Sequence, residues 1–190
     1  MDGSEPFSLS GVGADLRALR RSRSVTLAAL AAELDRSVGW LSQVERGLSE
    51  PAIDDLRRIA AIFDLPLGFF FRNDDAPEHE RGHIVRAAHR RSLGNPVAGL
   101  TEELLSPDIG GAFETLRSTF APGASLKTPQ RRDTEEAGYI VSGVLDLWIG
   151  ERHFHLGPGD SFRFAGEPYA WANPGPDPAV VLWTIAPPVY

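Results

Sequence analysis

The chain changes its hydrophobic period once, between Phe71 and Ile84, and that break divides it into two halves of opposite class. Up to Phe71 apolar residues recur at helical spacing: Val12, Leu16 and Leu19, then Leu27, Leu30, Ala31 and Leu34, then Leu41 and Val44, then Ile53, Leu56, Ile59, Ala60 and Phe63. The punctuation agrees. Thr26 and Ser37 suit the N-caps of the second and third helices, Gly47 the C′ position of the third, and Pro51 the approach to the fourth. Pro66 opens a short fifth segment, Leu67 to Phe71, so the spacing predicts five short helices.

From Ile84 onward the runs are short and β-rich: Phe113–Phe120, Gly138–Val141, Val144–Ile149, Ser161–Phe164 and Val180–Ile185. Pro122-Gly123, Ser142-Gly143, Gly157-Pro158-Gly159-Asp160 and Asn173-Pro174-Gly175 separate them as turns. Short strands at even spacing indicate a sandwich or a closed barrel. The polar stretch from Arg72 to Glu80 reads as a linker. The expected division is therefore a helical domain over 1–71, a linker over 72–83 and an all-β domain over 84–190.

Composition narrows the function classes. The chain has 190 residues, 42% of them hydrophobic, and no cysteine, which rules out disulfides, thiolate zinc sites and cysteine nucleophiles. No apolar run reaches the length of a membrane span, and the N-terminal residues show neither a basic region nor an apolar core of a secretory signal, so a cytoplasmic location is expected. The net charge of −7 speaks at first against nucleic acid. Its distribution matters more: residues 1–73 hold nine Arg against ten acids, net −1, and residues 74–190 hold ten basic residues against sixteen acids, net −6. Arg17, Arg20, Arg21 and Arg23 concentrate in one segment, a local basic face that can meet phosphates or simply be solvated.

The segment Thr26–Gly47 has the make-up of two short helices crossing closely. The first carries small residues, Ala28 to Ala32; a tight turn falls at Asp35-Arg36; the second buries Leu41 and Val44 and frees its other side for a major groove about 12 Å wide. Val38, Gly39, Ser42 and Gln43 lie on that free side, where Gln43 can pair bidentately with adenine and Val38 can pack on a thymine methyl. The string Leu41-Ser-Gln-Val-Glu-Arg-Gly47, followed by Pro51 and Leu56-Arg-Arg-Ile-Ala60, resembles the XRE, or Cro/C1-type, lambda-repressor-like helix-turn-helix family over about residues 10–71. The resemblance implies base contacts from Val38, Gly39, Ser42 and Gln43, phosphate contacts near Thr26, Ser37 and Trp40, and an ion pair between Arg20 and Glu45. Trp40 could equally pack against a neighbouring helix. Leu27 stands where the family often has a phosphate-binding Gln, which removes one contact.

The second half carries Glu135-Glu136-Ala-Gly-Tyr139-Ile-Val-Ser-Gly143, then Leu156-Gly-Pro-Gly-Asp160-Ser-Phe162, then Ala165-Gly-Glu-Pro-Tyr-Ala-Trp-Ala-Asn173-Pro. In this order they resemble a cupin, a double-stranded β-barrel, over about residues 110–187. Most cupins hold a divalent metal through three His and one Glu. Here the His-x-His positions fall on Pro129 and Arg131 or on Gln130 and Arg132, and the third His falls on Tyr169; Glu136 alone remains. His153 and His155 form a His-x-His on a strand the family does not use for metal, and they read as ordinary strand residues. No metal or other cofactor is therefore expected. Arg131 or Arg132 offers a fork for a carboxylate, Glu136 can accept from an amine or hydroxyl, and Tyr169 and Trp171, two apart on a strand, can form an aromatic wall. These residues could instead only fill the barrel.

The expectation is a DNA-binding transcriptional regulator, a repressor, that acts as a homodimer on a pseudo-palindromic operator in double-stranded DNA and answers to a small polar, anionic effector. Two alternatives stand beside it. One is a metal-dependent oxygenase or epoxidase of the same two-domain plan, against which the missing His residues speak. The other is a DNA binder whose barrel serves only to dimerise.

Overall fold

The computed structural model describes residues 11–70, 77–80, 82–93, 99–107, 109 and 111–189. They fall into two compact units, one holding the helices and running to Arg91 together with Ser106–Gly111, the other holding Ser92–Leu105 and Ala112–Pro188, with the boundary inside the first strand. Of the expected linker over 72–83, residues 72–76 and 81 lie outside the described residues, and Glu78–Glu80 forms a 3-10 turn.

The helical unit contains α1 (Val12–Ser22), α2 (Leu27–Glu33), α3 (Val38–Glu45) and α4 (Ile53–Phe63). Their buried stripe is the one the periodicity marks: Val12, Leu16, Leu19, Leu30, Ala31, Leu34, Leu41, Val44, Leu56, Ile59 and Phe63. Ile53 departs from that pattern and is exposed at the first turn of α4. The expected fifth helix is instead a single 3-10 turn over Leu67–Phe70. Its amide closes from Phe69 onto the Pro66 carbonyl three residues back, at 2.9 Å, and Gly68 sits at its centre. Four residues with a central glycine cannot build the i→i−4 ladder of a true helix. Phe71 lies outside the described residues.

The second unit is all β. Its strands are β1 (Arg91–Leu93), β2 (Leu100–Leu104), β3 (Glu114–Phe120), β4 (Glu135–Ser142), β5 (Leu145–Ile149), β6 (Arg152–Leu156), β7 (Ser161–Ala165), β8 (Tyr169–Ala172) and β9 (Ala179–Ala186). Hydrogen bonding arranges them as a six-stranded sheet, β1-β2-β3-β9-β4-β7, and a three-stranded sheet, β6-β5-β8. Beyond β8 the segment around residues 125–130 adds isolated bridges, Ser125 to Ala172 and Gln130 to Tyr169. Alternation decides which face is buried. On β3 it is Glu114, Leu116, Ser118 and Phe120; on β9 it is Ala179, Val181, Trp183 and Ile185; on the small sheet it is Leu145, Leu147, Ile149, Tyr169 and Trp171. Gly143 turns the chain from β4 into β5 with φ at 74°, and a Cβ there would meet the backbone of Ala179 at 2.6 Å. Both the angle and the space call for glycine.

Candidate functional site

The first candidate surface is built around α3. Its N-cap Ser37 accepts from the Trp40 amide at 3.1 Å, and Thr26 does the same for the Ala29 amide at the start of α2, also at 3.1 Å. The reversal between the helices passes through Asp35, whose φ of 53° is one that Asp tolerates better than most residues. The C-terminus of α3 ends with Gly47 at C′, φ 70°. With Leu41 and Val44 buried, Val38, Gly39 and Gln43 face solvent, Val38 to 47%, and Ser42 is half-buried beside them. Trp40 is half-buried under the Arg36 guanidinium, whose carbon stands 5.2 Å from the ring centroid.

Two ion pairs hold this helix in place. Arg20 of α1 grips Glu45 in a fork, Nε to Oε1 at 2.6 Å and Nη2 to Oε2 at 2.9 Å, and also donates to the Val25 carbonyl at 3.0 Å. The Glu45 carboxylate raises the Arg20 pKa above its ordinary value, against burial, which lowers it. Near the other end Arg36 forks onto Asp55, Nε to Oδ1 at 3.0 Å and Nη2 to Oδ2 at 3.2 Å. Asp55 in turn accepts from the Ala52 amide at 3.2 Å and so caps α4. The sequence reading implied the Arg20–Glu45 pair but did not foresee the Arg36–Asp55 pair. The result is a short helix with a rigid frame and a small, uncharged outer face: Gln43 has the amide for a base edge, and the Ser37 end presents free backbone N–H groups.

The second candidate lies between the two sheets. Glu136 is 1% exposed; it accepts from Thr134 Oγ1 at 2.9 Å and from the Trp183 indole N–H at 2.8 Å. Tyr169 and Trp171 share the buried face of β8, as their spacing requires. Tyr169 packs 5.1 Å from Phe164 and 6.1 Å from Trp183, and Trp171 meets Phe120 edge-on at 4.7 Å. The two arginines separate. Arg131 is exposed, with Nε donating to the Gly166 carbonyl at 2.8 Å. Arg132 is half-buried, and its charge acts on Tyr169 and on Glu102.

Glu102 is the residue the sequence reading missed. It faces inward from β2 opposite Ser118, whose hydroxyl donates to it at 3.1 Å, while its neighbour Glu103 faces away and pairs with Arg117 at 3.1 Å. Burial pushes the Glu102 carboxyl above its ordinary pKa and Glu136 adds to this; the Ser118 hydrogen bond and Arg132 oppose it. Burial likewise raises the Tyr169 hydroxyl to about 12, with Arg132 opposing and Glu136 and Glu102 adding. The signal for Glu102 was available, because Leu100, Glu102 and Leu104 alternate onto one face. A depression of about 680 Å³ runs alongside, lined in part by Ser125, Lys127 and Gln130; Glu102, Arg132 and Tyr169 do not line it.

These donors do not fit the metal of a cupin. Both oxygens of Glu136 are engaged by protein donors, the Arg132 charge acts on Tyr169, and a phenol with a pKa near 12 is a poor ligand. His153 and His155 flank Asp146, at 3.3 Å and 2.7 Å, on the outer face of the small sheet. Among the described residues no three His, Cys, Asp or Glu side chains form a metal-holding group.

Two family models place these geometries. Residues 12–68 match a helix-turn-helix domain and residues 116–185 match a cupin domain. The chain is an XRE-type helix-turn-helix protein with a cupin domain. This XRE–cupin protein is 23% identical over 135 residues to the HTH-type transcriptional regulator PuuR of Escherichia coli (strain K12), across 70% of this chain and 71% of that one. It is 27% identical over 153 residues to the HTH-type transcriptional regulator SutR of the same organism, across 80% of each chain. The crystal structure of an HTH_3 family transcriptional regulator from Vibrio cholerae aligns over 95% of this chain and 97% of that one, at 23% identity and a TM-score of 0.43. No helix among the described residues of the XRE–cupin protein is long and apolar enough to cross a membrane.

Proposed function

We propose that this XRE–cupin protein is a cytoplasmic transcriptional repressor that binds a pseudo-palindromic operator as a homodimer and whose cupin domain, closed as a barrel, holds a small polar effector without a transition metal. The observation that carries the DNA-binding part is the free face of α3, with Val38, Gly39 and Gln43 turned to solvent on a helix fixed by two ion pairs. The names of the two Escherichia coli relatives, matched over 70% and 80% of this chain, support the same reading. In it Val38, Gly39, Ser42 and Gln43 read bases, and Thr26, Ser37 and Trp40 lie toward phosphates. The effector site is centred on Tyr169, Trp171 and Glu136, with Arg132 rather than Arg131 turned toward it. The enzyme reading is not favoured, because the donors around Glu136 are not those of an oxygenase iron site.

Operator binding tests the first part. Gln43→Ala should weaken binding to the cognate operator by about 1–3 kcal/mol and relax one base position, read by mobility shift against single-base operator variants. Binding equal to that of the unmodified protein would place the base contacts elsewhere. The homodimer follows from the short reach of a single recognition helix, whose buried surface is too small for tight specific binding. Light scattering should give twice the chain mass at micromolar concentration or on operator DNA; a monomer under both conditions would remove that part of the reading.

A further inference from the structure

Among the described residues, three large exposed apolar side chains stand side by side on the outward face of the six-stranded sheet. Strand register brings them together: β9 and β4 place Leu182 opposite Tyr139, with Val180 and the bulged Val141 in the next row and Ala137 in the row before. Tyr139, Val141 and Leu182 are 48%, 47% and 37% exposed. Single exposed apolar residues are ordinary on a protein surface, but a contiguous group is not. The polar side chains around them are paired within the face. Arg117 donates to Glu103 and to Thr119, both at 3.1 Å, the Thr115 and Thr184 hydroxyls share a hydrogen bond at 3.1 Å, and Arg163 meets Glu135 at 3.2 Å. Register sets Arg117 beside Leu182 and Arg163 beside Ala137, so the two ion pairs rim the apolar centre on opposite sides. Covering such a face strands few hydrogen-bonding groups.

We propose that this face is the homodimer interface: two copies pack their six-stranded sheets against each other, with the Tyr139–Leu182 pair at the centre. This rests on the reading that the protein is a homodimer, and it names the surface. Charge selects a second copy as the occupant. The chain carries −7, and residues 74–190 alone carry −6, so two copies repel wherever their acidic surfaces meet. On this face Glu103 and Glu135 are balanced by Arg117 and Arg163, net zero, and two copies approach there without that penalty. A strongly charged partner would find no field here to steer it. Size agrees. The strands β2, β3, β9, β4 and β7, about 4.8 Å apart, make a face of about 20 by 25 Å, the footprint of an interface that buries about 800 Å² per partner. Packing about a twofold axis uses every residue twice, so one substitution acts at two places in the dimer.

Sedimentation equilibrium of the full chain is the test. The unmodified protein should be dimeric at micromolar concentration. Tyr139→Glu and Leu182→Lys should each weaken the dimer at least about a hundredfold, because each puts two charges into a dry apolar centre. Phe154→Glu, at a 38% exposed position on the edge strand β6 of the other sheet, should leave the dimer unchanged. The substituted side chains stand on outward or edge positions, and circular dichroism matching that of the unmodified protein shows that each variant is folded. Raising sodium chloride from about 0.05 M to about 0.5 M should tighten the dimer, since salt screens the repulsion between two acidic chains while an apolar contact loses nothing. The proposal is overturned by a dimer that survives both Tyr139→Glu and Leu182→Lys, by one that Phe154→Glu dissociates as well, or by one that weakens as salt rises. The two readings fail differently. A dimer that persists in both variants removes this interface and keeps the homodimer. An unmodified chain that stays monomeric, alone and on operator DNA, removes the homodimer itself and leaves the face to a different protein.

Discussion

Arg20→Ala should lower the stability of the helical unit by about 3–5 kcal/mol, because it strands a buried carboxylate. The Arg20 and Glu45 side chains are 13% and 6% exposed, and the fork between them is the tightest polar contact between α1 and α3. Removing the guanidinium leaves Glu45 without its counter-charge at the last turn of α3 and frees the Val25 carbonyl that Arg20 also holds. The carboxylate can recover solvation only by pulling the end of α3 outward, which moves Gln43 with it. Operator affinity should therefore fall together with stability. Arg20→Lys should restore only part of the loss, since one ammonium cannot reproduce the two-pronged contact. Urea unfolding followed by helical circular dichroism reads the effect; for a unit of this size the melting temperature should drop by more than about 10 °C. An unchanged unfolding midpoint would mean that Glu45 finds water or another partner at no cost.

The residues themselves made most of the helical half legible. The apolar spacing and two side-chain caps place α1 to α4 because those signals are local, and Thr26 and Ser37 do what their positions imply. Failure came where the local pattern was too short to carry a helix, as at Leu67–Phe70. In the β half the well-alternating strands β3, β4, β5, β7 and β9 were anticipated, whereas β1 and β2 were not. β1 is three residues long, and β2 carries Glu102 and Glu103 at its centre, so its apolar alternation is interrupted on the buried face itself. That interruption is the part of the site that mattered. The resemblance to a cupin led to Arg132, Glu136 and Tyr169, and strand alternation added Trp171, but which arginine turns inward depends on the bridge between Gln130 and Tyr169, a long-range pairing. Trp183, which ties down Glu136, is likewise brought to it across the strand register, where β9 faces β4.

Gly13→Ala, the addition of one methyl group, should cost about 3 kcal/mol and abolish high-affinity operator binding. Gly13 lies in the first turn of α1, fully buried, where α1 crosses α3. A Cβ built on it would stand 2.0 Å from the Val44 carbonyl oxygen and 3.1 Å from the Val44 carbonyl carbon. These are backbone atoms, so no side-chain rotation can relieve the clash; one helix must shift by more than an ångström relative to the other. Alanine is the better helix former by about 1 kcal/mol, and at an exposed position the same substitution would stabilise. Here the overlap wins, because the Arg20–Glu45 fork a short way along the same crossing tolerates little displacement. The affected atoms belong to the last turn of α3, so the shift rotates the face that carries Val38, Gly39 and Gln43. Ala14, the next residue along, is exposed, and Ala14→Ser provides a control on the same turn that should change neither stability nor binding by more than about 0.5 kcal/mol. Chemical denaturation and operator titration of the two variants side by side separate the outcomes. If Gly13→Ala melts and binds like the control, the close approach of α1 to α3 is not what sets the recognition helix.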